Sequence, residues 1–418
     1  MHACGLDFGT SNSAVGIIDG NAPALASVEG GETMIPSAVF FDASEGDRPS
    51  FGRAAIDANV GGIEGRLMRA LKSVLSSSLM TETTHLSKKR VALIDVVAMF
   101  VRHLKTCAEA RLGAPIDAVV HGRPVHFAGG GDDGADRVAE VRLQEIANRV
   151  GFKEVSFTYE PIAAAYDYEL GATREELVLV ADIGGGTSDF TLIRIGPERR
   201  RQRDRRADIL GNSGVRAGGT DLDRDLSMAA VMPLLGLGSR LIDKDLPMPR
   251  ALFAELAWWP TINLLYQPKT RRDVRELHMR AAEPIKTGRL MTVMQKQLGH
   301  RIAFAVEDGK IALTSADATE IALAFIEPGL AASATRAAFD AAIASETEAL
   351  HAGVAECLAT ANLRPQDVDT VFMTGGSSRV PAVRDAILAG VPGASVARTD
   401  DFLSVATGLT VEAQRRYG

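Results

Sequence analysis

The chain has 418 residues, of which 46% are hydrophobic, 24% charged and 5% aromatic, a globular composition that excludes a disordered or fibrous protein. Its length predicts two large lobes or three modest domains. A formal charge of −7 supplies no whole-chain attraction to nucleic acid or an anionic membrane, so small molecules or proteins are the expected partners.

Cys4, Cys107 and Cys357 are the three cysteines; widely spaced and without a CxxC pair, they write neither a disulfide framework nor a zinc knuckle. A reducing cytoplasm is the expected compartment. The start, Met1 to Asp7, lacks a basic stretch before an apolar core, and no run reaches about 18 apolar residues, so neither a signal peptide nor a membrane span is expected.

In chain order, Cys4 to Phe8 predicts a strand, Gly9 to Asn12 a turn and Ala14 to Ile18 a second strand, together a β-hairpin with a polar tip. Val39 to Phe41 reads as a strand and Val91 to Leu112 as a long helix. Ile116 to Val120 is a strand, Asp133 to Val150 an amphipathic helix stopped by Gly151, and Val155 to Tyr159 a strand entering a helix over Ile162 to Leu170. The opening pattern then repeats: strand Leu177 to Ile183, turn Gly184-Gly185-Gly186-Thr187, strand Phe190 to Ile195. That repetition predicts an internally duplicated α/β protein whose two equivalent turns face a shared cleft. Beyond Gly219 helices are expected over Asp223 to Leu235, Met248 to Leu265, Arg271 to Leu298 and Ala332 to Ala361. A strand at Thr370 to Met373, a turn at Thr374 to Ser378, a helix from about Val380 and a last helix from about Phe402 complete the chain.

Asp7-Phe8-Gly9-Thr10-Ser11-Asn12 has the chemistry of a phosphate cradle: side-chain-poor backbone lets N–H groups converge on an anion, hydroxyls add donors, and an acid at the strand end can hold a hydrated divalent cation. Read by itself, it is equally a tight turn that Asp7 caps. Asp182-Ile183-Gly184-Gly185-Gly186-Thr187-Ser188-Asp189 favours the cradle, because three consecutive glycines cost conformational entropy and imply close approach of the backbone to something else. Thr374-Gly375-Gly376-Ser377-Ser378-Arg379 is a strand-to-helix turn that fits either an anion site with a base-stacking arginine or an ordinary helix cap. Neither GxxxxGK[ST] nor a strand-borne GxGxxG occurs, and HExxH and GxSxG are absent, so the common nucleotide, zinc-protease and serine-hydrolase fingerprints are missing. The eight histidines form no ligand cluster.

The two glycine-rich hairpins, then Tyr159-Glu160-Pro161-Ile162-Ala163-Ala164-Ala165, then Thr374 to Pro381, resemble the phosphate-one, phosphate-two, connecting and adenosine motifs of the actin-like ATPase superfamily. Their spelling is similar to that of the DnaK-type Hsp70 chaperones, and the outline of the chain to the short YegD-type members. The resemblance runs from Gly5 to about Gly408. It implies two duplicated ribonuclease H-like lobes around a nucleotide cleft: lobe I over 1–172 with the helix 402–418 returning to it, and lobe II over 173–401 with an enlarged helical subdomain at about 219–315.

The same resemblance implies ATP or ADP with Mg2+, and K+, as cofactors. Asp7, Asp182 and Asp189 would organise the metals, Mg2+ through water. Gly9, Thr10, Ser11, Asn12, Gly184, Gly185, Gly186 and Thr187 would cradle phosphates, and Gly218 with Gly219 would join them. Lys72 in Arg69-Ala70-Leu71-Lys72 would position the attacking water, with Glu160 as the cleft carboxylate; outside the family context Lys72 is a surface lysine. Glu307, Lys310 and Thr314 would meet the nucleoside, with Gly375, Gly376, Ser377 and Arg379 opposite. Pro124 and Arg137 match residues that relay nucleotide state. Ile311 replaces an arginine that the chaperones stack on adenine.

The chain departs from the chaperones in three places. It ends ten residues after Gly408, so no client-peptide groove is expected. Its segment from Gly219 to Glu307 is longer than theirs and holds Trp258 and Trp259, read as core rather than as a docking site. Glu198 to Arg206 carries six arginines, read as a solvated loop or as a contact for an acidic partner. The implied function is a slow ATPase of chaperone type with water as acceptor. Two alternatives share the superfamily, a small-molecule kinase and a filament-forming ATPase; a protein that binds nucleotide without hydrolysing it is a third. No membrane or nucleic-acid partner is expected, and a protein partner would meet the enlarged lobe II or the loop 198–206.

Overall fold

The computed structural model describes the chain except residues 21, 77–79, 81, 87–89, 125–126, 128–132, 203–204, 243–244 and 398–403. It divides into two compact units, the first made of Met1–Arg216, Leu350–Ser378 and Ala386–Gly418, the second of Ala217–Ala349 and Arg379–Asp385.

The first unit holds two sheets of the same design. In one, Glu154–Tyr159, Ala118–Arg123 and Ala3–Phe8 run parallel, and Asn12–Asp19 and Ala22–Leu25 continue antiparallel. In the other, Ser395–Ala397, Thr370–Thr374 and Glu176–Ile183 run parallel, and Ser188–Ile195 and Ile209–Val215 continue antiparallel. The duplication read from the repeated strand-turn-strand pattern is therefore a duplication of strand order. Near-continuous apolar runs such as Val178 to Ala181 are what a sheet covered on both faces demands.

One face of the first sheet packs on the helices Leu93–Leu112 and Asp133–Val150, through Leu6, Phe8, Phe100, Leu104 and Leu143. A second core joins Val120 of that sheet and Val180 and Ile193 of the other to Ala163, Ala164 and Ala165 of the helix Glu160–Gly171 and Leu409 of the helix Ser404–Tyr417. The small residues are a packing requirement. A Cβ on Gly408 would collide with the Ala163 carbonyl, and one on Gly5 with the backbone at Leu409 and Thr410. The last helix begins, within the described residues, at Ser404; Phe402, where the sequence places its start, lies outside them.

The second unit is mostly helical, and its helices are shorter than expected. Asp223 to Leu235 becomes Gly219–Leu226 followed by a π turn and a 3-10 turn that ends at Leu235. Met248 to Leu265 becomes Arg250–Ala257 and a 3-10 turn over Ile262–Tyr266, and Arg271 to Leu298 becomes Pro268–Met279 and Pro284–Lys296. Prolines explain the interruptions: Pro233 and Pro284 open the new segments, where a missing N–H costs nothing, and Pro260 lies between Ala257 and Ile262. The expected helix from Ala332 to Ala361 is also corrected. Ala331–Thr335 pairs with Ala318–Ala322 in a hairpin, and the helices Arg336–Ala342 and Ala344–Thr360 follow. Alanine-rich composition favours helix, but Ala332 and Ala334 are buried in strict alternation with exposed neighbours, so packing overrides propensity. The two tryptophans are not both core: Trp258 is 41% exposed, and Trp259 meets His300 edge-on at 5.3 Å.

The arginine run is only partly solvated. Arg205 is buried between Glu169, at 2.8 Å, and Asp208, while Arg199 binds Glu175 at 2.9 Å and Asp208 at 3.1 Å. Residues 203–204 lie outside the description.

Gly408→Ala should destabilise the protein by about 1–3 kcal/mol through overpacking against Ala163. Gly171→Ala, with nothing within 4 Å of its added Cβ, should not. Urea unfolding of both variants checks this; equal midpoints would refute the packing argument.

Candidate functional site

The candidate residues of the first unit gather at the carboxyl ends of parallel strands, where open α/β sheets bind ligands. Asp7 lies one residue before the end of Ala3–Phe8, Asp182 one residue before the end of Glu176–Ile183, and Glu160 directly follows Glu154–Tyr159. Gly375 directly follows Thr370–Thr374.

The two turns meet. A Cβ on Gly185 would collide with the Ser11 hydroxyl and would lie 3.7 Å from the Thr10 methyl. Neither Gly184, Gly185 nor Gly186 has a positive φ, so Gly185 answers close approach rather than backbone conformation, while at Gly186 nothing lies within 4 Å of an added Cβ. Gly184 closes its turn by donating to the Thr187 carbonyl at 2.9 Å. Gly375 needs glycine twice over, since its φ is 82° and a Cβ there would collide with the Ile183 carbonyl and come within 3.1 Å of Asp182 Oδ1. The Ser378 hydroxyl closes that turn on the Gly375 carbonyl at 2.7 Å. Ser377 is buried beside it, and Gly376 is exposed.

Lys72 and Glu160 are both buried, and Lys72 Nζ donates to Glu160 Oε1 at 2.6 Å. Lys72 sits on a 3-10 turn entered through Ala70, whose φ of 51° is left-handed; a strained residue beside a charged one is characteristic of functional sites. Burial pulls the Lys72 ammonium toward neutrality, but Glu160, Asp7 and Asp182 outweigh it and hold the amine above its usual range. Burial pushes Asp7 up to about 8, with Glu160 and Asp182 adding to the rise and Lys72 opposing it. Asp182 rises to about 6 for the same two reasons, burial and Glu160. Asp189, cross-strand partner of Asp182, is raised well above the carboxylate range by burial, then by Asp182 and Glu160, although the Thr187 side chain hydrogen-bonds it. Like charges directly opposite in a sheet repel, and burial magnifies the cost.

Sequence reasoning missed the support of the first turn. Ser37 donates from Oγ to the Gly9 carbonyl at 2.7 Å and from its N–H to the Ser11 carbonyl at 2.8 Å, and its hydroxyl lies 2.8 Å from that of Ser13. The segment Ile35–Pro36 zips onto Asn12 and Ser13 and delivers it. The signal available was Ile-Pro-Ser, a rigid extended dipeptide before a hydroxyl. Gly122 was missed as well; a Cβ there would crowd Glu160 at 3.1 Å.

The remaining candidates belong to the second unit. Gly218 and Gly219 open the helix Gly219–Leu226, and the Gly218 N–H donates to Asp221 Oδ2 at 3.1 Å. Lys310 is buried with Nζ 2.8 Å from Asp223 Oδ1 and 3.3 Å from the Gly219 carbonyl, so it braces that glycine turn. The Thr314 hydroxyl donates to the Ile311 carbonyl at 2.7 Å, leaving its oxygen to accept. Glu307 is half-buried, and Ile311 and Arg379 are exposed.

Asp7 and Asp182 both titrate higher in the folded state than the ordinary aspartate value of 3.8. The folded state therefore holds more protons through that interval, and the ligand-free protein loses stability as pH rises from there toward 8. Asp7→Asn should raise its melting temperature by a few degrees at pH 8 and leave it unchanged at pH 4. A variant no more stable than wild type at pH 8, measured in chelator without nucleotide, would contradict this crowding.

The profile of the family described as Hsp70 protein matches residues 66–226 and 280–414, well over half of the chain. The chain is 26% identical over 392 residues to the "Chaperone protein DnaK" of Mycoplasmopsis agalactiae (strain NCTC 10123 / CIP 59.7 / PG2), covering 92% of this chain and 53% of that protein. It thus spans about half the length of this relative.

Proposed function

The chain belongs to the Hsp70 family, whose fold is that of the actin-like ATPases, and from that premise we propose that it binds ATP and ADP with Mg2+ and hydrolyses ATP slowly, as a chaperone-type switch. The observation that carries the reading is the seating of Gly185 against Ser11 and Thr10, with Asp7, Asp182 and Asp189 crowded around Lys72. Such crowding raises the energy of every ionised carboxylate, and a divalent cation relieves it.

The donor set fits magnesium, being all hard oxygen. By family membership Asp7 and Asp182 would hold magnesium through water, with Asp189 part of the same metal site and K+ a second ion there. When bound, the metal neutralises charge on the terminal phosphates. The N–H groups of the two turns bind phosphate oxygens, and Thr10, Ser11 and Thr187 add hydroxyl donors. Lys72 Nζ, held by Glu160, orients the attacking water and offsets charge that develops on the phosphoryl group. Positioning and electrostatics of this kind suit slow turnover. Glu307, Lys310, Thr314 and Arg379 are assigned to the nucleoside by family membership. No described helix is long and apolar enough to cross a membrane, and a cytoplasmic location belongs to the same reading.

ATP with Mg2+ should raise the melting temperature, and phosphate should be released without an added acceptor, which separates hydrolysis from kinase chemistry. Asp7→Asn or Lys72→Ala should lower turnover by about a hundredfold; wild-type rates in either variant would sink the assignment. Ser37→Ala should weaken ATP about tenfold through loss of a hydrogen bond that holds the cradle, leave adenosine unchanged, and be rescued by Ser37→Thr. Calorimetry checks it, and an equal loss for adenosine would reduce Ser37 to a structural role.

A further inference from the structure

The segment 227–279 lies between the two stretches that match the family, and together with the residues just beyond it builds an apolar surface with nothing described over it. The backbone of Arg240 to Ile242 runs antiparallel to that of Arg280 to Ala282: the Ile242 N–H donates to the Arg280 carbonyl and the Ala282 N–H to the Arg240 carbonyl, each at 2.8 Å. Leu241 and Ala281 face inward, which turns Ile242 outward. Leu246 is tied in by the Leu241 N–H, 2.8 Å from its carbonyl. Met279 ends the helix Pro268–Met279 and Ile285 is the second residue of the helix Pro284–Lys296, so the paired backbone brings the chain positions of all four apolar residues near one another. Their exposures are 72% for Ile242, 69% for Met279, 71% for Ile285 and 51% for Leu246. Exposed apolar residues scattered singly mean little, but grouped and rimmed by charge they mark an interaction site.

The charge around them selects the occupant. Arg240 is paired with Asp245, and Lys286 with Glu283 at 2.5 Å. Arg275 and Arg272, one and two turns before Met279 on its helix face, are exposed and have no carboxylate partner among the described residues. Asp273 and Glu276 stand on the same helix, yet over 268–286 the basic residues outnumber the acidic six to three, on a chain whose net charge is −7. A second copy meeting this face with its own would set like charges together. A broad anionic membrane would repel the acidic remainder of the chain, whereas one segment fitted to the patch feels mainly charges within a Debye length of about 8–10 Å. We propose that this face docks an acidic amphipathic helix of another protein, its apolar side on Ile242, Met279 and Ile285 and its carboxylates on Arg272 and Arg275.

The test titrates the full chain into a fluorescein-labelled helical peptide with leucines along one face and glutamates flanking them, read by anisotropy. Binding should saturate, weaken with salt, and become about tenfold weaker in Ile285→Glu and in the double variant Arg272→Ala, Arg275→Ala. The same peptide with lysines for glutamates should not bind. Thermal melting of each variant verifies folding, and Ile285→Ala provides a milder substitution should the glutamate unfold the chain. No binding, equal binding of the lysine peptide, affinity unmoved by the substitutions, binding to phosphatidylserine vesicles in preference to the peptide, or concentration-dependent dimerisation through this face would each overturn the proposal.

Discussion

One buried ammonium is asked to balance several carboxylates. Lys72 touches Glu160 and feels Asp7 and Asp182, while Asp189 stands opposite Asp182 across the second hairpin. A core made only for stability would replace such a group with apolar side chains, since taking charges out of water outweighs their mutual attraction unless every one is matched. Ionising these acids is therefore costly, and the two sheets hold them together nonetheless. Parallel strands bring their carboxyl ends to one place, and the shared alanine-rich core keeps the two sheets from relaxing away from each other.

The same constraint explains the glycines. Where acids crowd, the backbone must supply the positive ends of its N–H dipoles at close range, and side chains would stand in the way. Gly185 is small because Ser11 is adjacent, and Gly375 because Ile183 and Asp182 are. Ser37 performs the complementary task from outside, holding the Gly9 and Ser11 carbonyls of the first turn.

Much of this was legible in the sequence because the duplication repeats a period-two pattern twice with an acid and a glycine turn at the same offset. Helices with capping glycines, such as Asp133–Val150 before Gly151, were legible for similar local reasons. The second unit was not. There, prolines cut single hydrophobic patterns into several helices, and an alanine-rich stretch that favours helix everywhere was folded into a hairpin by burial of Ala332 and Ala334. The arginine run looked solvated because Glu169, its deepest partner, lies far away along the chain. Ser37 and Gly122 escaped notice for the same reason: their importance lies in long-range neighbours, which no local pattern records.

The close passage of Gly5 beneath Leu409 and Thr410 carries a consequence for biosynthesis. The strand that holds Gly5 can complete its packing only after residues near 410 have been made. Until then its apolar underside waits, and while the intervening residues are translated that sheet stays half-covered and exposed to aggregation or to chaperones.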